Sequence, residues 1–223
     1  MELHTFSIAA RDPRTGDFGV AVATARPAVG ALAPWVSRRG AIATQARVNT
    51  DLGRHGLALV DHGVPVAAAL DGLLAGDPER ELRQLHGVDA GGVFAHTGSR
   101  CVEWCGQLAG EGFTVAGNML AGEAVLKAMA EAFAIGPDDE LSARLLAALE
   151  AGQAAGGDKR GKQSAALLVA AAAPRGYHNL RVDDHADPVA ELRRVHDVAV
   201  AHWDRVGREL GPEAQRLFGR IKH

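Results

Sequence analysis

The sequence predicts an α+β domain in which two mainly antiparallel sheets are stacked between helices, a four-layer αββα sandwich, and three observations predict it. Residues 5–11 and 18–25 are extended stretches joined by Asp12-Pro13-Arg14-Thr15-Gly16, whose proline and glycine supply the dihedrals of a reversing turn, so the pair is an antiparallel hairpin. The second strand, FGVAVATA, does not alternate apolar with polar residues, and neither do GAIATQA at 40–46 or SAALLVAAA at 164–172. A strand wetted on one face alternates, so these are covered on both. The hairpin excludes an all-parallel sheet as the reason, which leaves a second sheet on one face and helices on the other. Apolar residues at helical spacing in four further segments supply those helices.

In chain order, Pro65 opens a helix whose stripe is Val66, Leu70, Leu73 and Leu74, proline being favoured in a first turn. Residues 82–89, 92–97 and 112–118 are shorter strands. Val125, Met129 and Phe133 mark a second helix. After Pro137, the acidic Asp138, Asp139 and Glu140 suit the positive end of a helix dipole, and Leu141, Leu145 and Leu149 form the stripe, with Gly152 as its stop. Asp187-Pro188 caps a long last helix with Val189, Leu192, Val195, Ala199, Trp203, Val206 and Leu210 on one face, fraying beyond Gly211. There is no internal repeat and no linker, so residues 1–223 are expected to form one domain.

Composition narrows the partners. Hydrophobic residues at 47% and charged residues at 23% are globular usage. A net charge of -3 without a basic run gives no field to gather phosphates, so nucleic acid is not expected. Glu2, His4 and Arg11 interrupt the opening where a signal peptide is apolar, and the run over 165–173 is too short to span a bilayer, so the expectation is a cytoplasmic protein without membrane contact. Cys101 and Cys105 are too few for a disulfide scaffold or a structural zinc site.

Five segments in order carry a resemblance: TFSIAARDPRTGDFGVAVATA at 5–25, GAIATQARVN at 40–49, GNMLAG at 117–122, GGDKRGKQSAALLV at 156–169 and LRVDDHADPVAELRR at 180–194. Together they resemble an uncharacterised bacterial and archaeal family with an N-terminal-nucleophile (Ntn) hydrolase-like fold. The resemblance implies the same αββα sandwich and, through the wider superfamily, hydrolysis of an amide bond in a small amide or acylated amino compound. It also implies Thr5 as the nucleophile, since Thr5 stands where the family pattern begins its first strand. In such enzymes the side chain of the first residue attacks a carbonyl while its own α-amino group, with a pKa of about 7.7–8.0, takes the proton. Residues 1–4 precede Thr5, and while they are attached its nitrogen is a non-basic amide.

Ser7 shares the face of Thr5 by alternation and is the reserve nucleophile. Asn118, ending an extended run, is the candidate oxyanion donor. Thr24 and Arg26 close the second strand while Gln45 and Asn49 flank the third, so all four are candidates for lining the same end. Each has a plain alternative: Thr5 as a β-favouring strand residue, Asn118 as a turn residue, the others as sheet-edge hydrogen bonders. A non-catalytic protein of this fold, binding a small anion or assembling into homo-oligomers, is the rival reading.

Residues 156–162 match G-x-x-x-x-G-K, the opening of a phosphate-binding loop, but Gln163 follows where Ser or Thr is needed, and a strand follows where a helix is needed. The glycine-rich turn with Asp158, Lys159, Arg160 and Lys162 instead suggests a loop facing a substrate carboxylate. Asp183, Asp184, His185 and Asp187 have ligand chemistry, but neighbours on an extended segment point apart and Asp187 has a cap to make, so no metal and no cofactor is expected. Trp35, Trp104 and Trp203 are read as packing anchors.

Overall fold

The hairpin expected at the start lies at the middle of one of two antiparallel sheets. In the computed structural model, which describes residues 2–3 and 5–218, with side chains over residues 5–209, the chain runs β1 (Glu2–Leu3), β2 (Thr5–Arg11), β3 (Phe18–Thr24), β4 (Pro34–Val36), β5 (Gly40–Arg47), α1 (Thr50–Asp61), α2 (Val66–Ala75), β6 (Arg83–Asp89), β7 (Val93–Thr97), β8 (Gly106–Gly110), β9 (Phe113–Gly117), α3 (Ala124–Ala134), α4 (Leu141–Ala154), β10 (Ser164–Ala170), β11 (Asn179–Val182) and α5 (Pro188–Phe218). One sheet has the order β1-β5-β6-β7, with β4 also on β5; the other is β11-β10-β3-β2-β9-β8. All pairings are antiparallel.

Burial falls in three slabs. Ile42, Leu70, Leu74 and Leu85 join α1 and α2 to the outer face of the first sheet. Ala9, Val20, Ala41, Ala43 and Val88 meet between the sheets, and the small side chains let them approach. Phe6, Ile8, Leu126, Met129, Leu145, Leu149 and Leu192 fill the space between the second sheet and α3, α4 and α5. The three non-alternating strands are indeed buried on both faces, β3 along its whole length.

Several boundaries differ from expectation. Helix α1 was not anticipated, and Asn49, expected to line a site, is its cap: Asn49 Oδ1 accepts from the amide of Asp51 at 3.1 Å. Pro65 lies at the cap of α2, just outside the helix. The acidic residues after Pro137 precede α4, which starts at Leu141. Gly152 does not end α4; it is buried inside it, with Met129 lying where a Cβ would point. Helix α5 continues past Gly211, whose φ of 69° breaks it, and Leu210, expected on its inner face, lies outside the described side chains. Trp35 packs with the first sheet's helices, Trp104 and Trp203 with the larger core. No helix among the described residues is long and apolar enough to cross a membrane.

Candidate functional site at the Thr5 end of the sheets

Antiparallel register gathers the hydroxyls first. Thr5 pairs with Thr24 across β2 and β3, and Thr24 with Ser164 across β3 and β10, which aligns three hydroxyl residues at one end of the second sheet. β9 ends beside them: the amide of Asn118 donates to the carbonyl of Thr5 at 3.0 Å. Facing this end from the other sheet are Gln45 on β5 and Gln84 on β6, which are register partners.

Gln45, Gln84 and Asn118 join Ser7, His86 and Thr114 in one network buried between the sheets. Gln84 Nε2 lies 2.7 Å from the carbonyl of Gly117, 3.1 Å from that of Gly106 and 3.0 Å from Thr97 Oγ1. Two carbonyls can only accept, so the Gln84 amide has a single orientation and its Oε1 must accept in turn. It receives Gln45 Nε2 at 3.0 Å and Asn118 Nδ2 at 2.8 Å. Gln45 Oε1 therefore points to Ser7, whose hydroxyl donates to it at 2.7 Å. Having used its only hydrogen, Ser7 accepts from His86 Nε2 at 2.8 Å, and His86 Nδ1 accepts from Thr114 Oγ1 at 2.9 Å. The backbone carbonyls thus set the tautomer of a histidine two residues along the strand from Gln84.

That direction decides what Ser7 can do. A hydroxyl activated by histidine donates to it; Ser7 receives from it and is fully enclosed, so the reserve nucleophile is a member of a structural network. Burial lowers the pKa of His86 to about 3, so the imidazole is neutral. The unfolded chain takes up a proton here below about pH 6.5 while the folded chain does not until about pH 3, so stability is full above pH 6.5 and falls as the pH drops through this window. His178, lowered to about 4 chiefly by burial, then by Arg175 and His196, acts in the same direction. Urea unfolding at successive pH values is expected to show this decline, and His86→Gln to flatten it by up to about 1.4 kcal/mol per pH unit. An unchanged slope in that variant would remove the neutral imidazole from the account.

Thr5 stands apart from the network it adjoins. Its side chain is 0% exposed, yet among the described residues its Oγ1 has no hydrogen-bond partner. Two non-glycine residues with left-handed backbone flank the same end, Ala46 (φ 64°) after Gln45 and Met119 (φ 54°) after Asn118; such conformations cost about 1–3 kcal/mol each and cluster at functional sites. β1 lies across this end, Leu3 pairing with Ala46 and Glu2 with Arg47, so the segment before Thr5 leaves the second sheet and extends the edge of the first.

The remaining candidates sit nearby in other roles. Asp158 is buried and accepts from the amide of Ala25 at 3.1 Å and from Arg160 Nη2 at 2.6 Å, fastening the glycine-rich loop to the end of β3. Lys162 is paired with Asp187 at 2.9 Å, whereas Lys159 Nζ donates to the carbonyl of Glu103 at 2.8 Å and, among the described residues, has no carboxylate within ion-pair distance. Arg26, just beyond Thr24, has a buried Nε without a partner among the described residues. Asp183 pairs with Arg181, and Asp184 accepts from Gln163. Cys101 and Cys105 are free thiols, and burial pushes Cys101 up to about 11. Gln84, His86 and Thr114 were absent from the sequence reading. The available signal was a pair of polar residues at i and i+2 in RQLHGVD, on a strand buried along six of its seven residues.

Comparison with known proteins adds a family and a fold. A model of the Family of unknown function (DUF1028) matches residues 5–192. A crystal structure of a Silicibacter pomeroyi protein, described by the same family model, is similar at 36% identity and a TM-score of 0.80, over 89% of each chain. No protein of curated function matches.

Proposed function

Since the chain belongs to the Family of unknown function (DUF1028), its chemistry rests on the site itself, and we propose an amide hydrolase of the Ntn type with Thr5 as nucleophile once the preceding residues are removed. The observation that carries this reading is the hydroxyl of Thr5, fully buried and unpartnered beside a network in which the neighbouring side chains are satisfied. A buried hydroxyl left without a partner costs about 1–3 kcal/mol and asks for a reason; a nucleophile held for a substrate carbonyl is one. Two antiparallel sheets between helix layers, with Thr5 opening an interior strand, support the Ntn-like assignment.

In the proposed reaction Thr5 Oγ1 attacks the amide carbon, its proton passing to the freed α-amino group and the carbonyl oxygen becoming an oxyanion. Asn118, whose backbone amide donates to the Thr5 carbonyl and whose side chain is oriented by its bond to Gln84, is the proposed donor for that charge. Collapse of the adduct breaks the C–N bond as the ammonium returns the proton to the leaving amine. Water, deprotonated by the same amine, then adds to the ester carbon, the bond from that carbon to Oγ1 breaks to release the acid, and the ammonium returns its proton to Oγ1.

A second reading has its own observation: with β1 paired to β5, Thr5 is sealed, as suits a non-catalytic protein of this fold. The two are separated by preparing the chain with Thr5 as its first residue, beside the full chain, and treating both with a small α′,β′-epoxyketone, which requires a hydroxyl and an amine on one residue to close its ring. A stoichiometric adduct on the trimmed chain alone, absent from Thr5→Ala, is expected. A folded trimmed chain that takes no adduct would leave the non-catalytic reading.

A further inference from the structure

Along β2, Thr5 and Arg11 are about 20 Å apart at the usual rise of a strand, and the far end holds a separate cavity. It encloses about 560 Å³ between the β2–β3 turn, the β6–β7 turn, the β8–β9 turn and the start of α4, within the range of small-molecule sites. Its charges are unevenly satisfied. Arg14 is held by both oxygens of Asp12, and Asp89 accepts the amides of Val66, Gly91 and Gly92 at 2.7–2.8 Å.

Arg11 and Arg144 differ, since among the described residues neither has a carboxylate within ion-pair distance. Arg11 donates through Nη1 to the carbonyl of Ala90 at 3.1 Å, and its Nε is buried without a partner. Arg144 donates to the carbonyl of Phe133 at 3.1 Å from Nη2, with its guanidinium carbon 4.1 Å from the centre of the Phe133 ring. Burial lowers its pKa from the ordinary arginine value. Two guanidinium groups facing one cavity, each with donors left over, form a receptor for paired oxygens, because the planar fork matches carboxylate and phosphate.

We propose that this cavity is a binding site for a small organic anion, its carboxylate or phosphate held between Arg11 and Arg144. Calorimetric titration of the full chain at low ionic strength, with phenyl phosphate and with phenylacetate as probes, tests it. Saturable binding of one equivalent of at least one probe is expected, weakened about tenfold or more by Arg144→Met and by Arg11→Met and unaltered by Thr5→Ala. Glu111→Gln removes an exposed carboxylate from the wall of the cavity and is expected to tighten binding about threefold. Absence of saturable heat with both probes overturns the assignment. So do arginine variants that titrate like the parent, or an unimproved affinity in Glu111→Gln should the arginine variants not fold.

Discussion

Replacing Gln84 with Leu is expected to cost about 3–5 kcal/mol of stability, more than truncating an ordinary polar side chain. Leucine fills nearly the same volume, so the loss comes from hydrogen bonds and not from a cavity. The carbonyls of Gly106 and Gly117 lose their donor, and the amides of Gln45 and Asn118 lose their acceptor, in a place without access to water. Each unpaired buried group costs about 1–3 kcal/mol, and rotation of Gln45 recovers only part of the sum. Thr97→Val, which removes a partially exposed arm of the same network with its bonds to Gln84 and Gln107, is the control and is expected to cost about 1 kcal/mol. Urea denaturation of both at neutral pH measures the difference, with the midpoint moving and the slope unchanged. Equal losses would mean that Gln84 does not organise the network.

The same residue marks where the sequence stops being readable. Two-sided burial was legible because β3, β5 and β10 are apolar without alternation, and no other arrangement of a hairpin strand satisfies that pattern. Thr5, Ser7, Gln45 and Asn118 were legible as candidates because they lie at strand ends or on one alternating face, and the structure brings all four to one end. Gln84 and His86 were missed because they act through partners 13 to 79 residues away, and no local pattern announces a partner. Helix α1 was missed for a related reason. Gly53 and Gly56 weaken its helical signature, yet both are required: a Cβ at Gly53 would stand 2.2 Å from the Trp35 ring, and one at Gly56 would stand 2.6 Å from Leu70. Asn49 was then taken for a site residue when its position before α1 made it a cap. The edge strands β8 and β11 escaped because they are short, five and four residues, and glycines stand at both ends of the first.

Removal of residues 1–4 is expected to switch hydrolysis of a small amide from undetectable to measurable, and Thr5→Ala in the trimmed chain to lower kcat by about 10³-fold or more. The switch follows from chemistry and from place at once. Cutting before Thr5 turns a non-basic amide nitrogen into an amine with a pKa of about 7.7–8.0, and it lifts β1 from the edge of β5 where it covers the Thr5 end. Thr5→Ser keeps a hydroxyl beside that amine and is expected to stay within about tenfold of the parent. The pH profile separates this mechanism from a hydroxyl activated elsewhere. If the amine is the base, kcat/KM rises tenfold per pH unit below its pKa and levels above it, whereas His86, neutral down to about pH 3, has no titration in that range to impose. A profile flat between pH 6 and 9 would therefore discard the amine as base even if Thr5→Ala were inactive, and would return the unpartnered hydroxyl of Thr5 to a structural role.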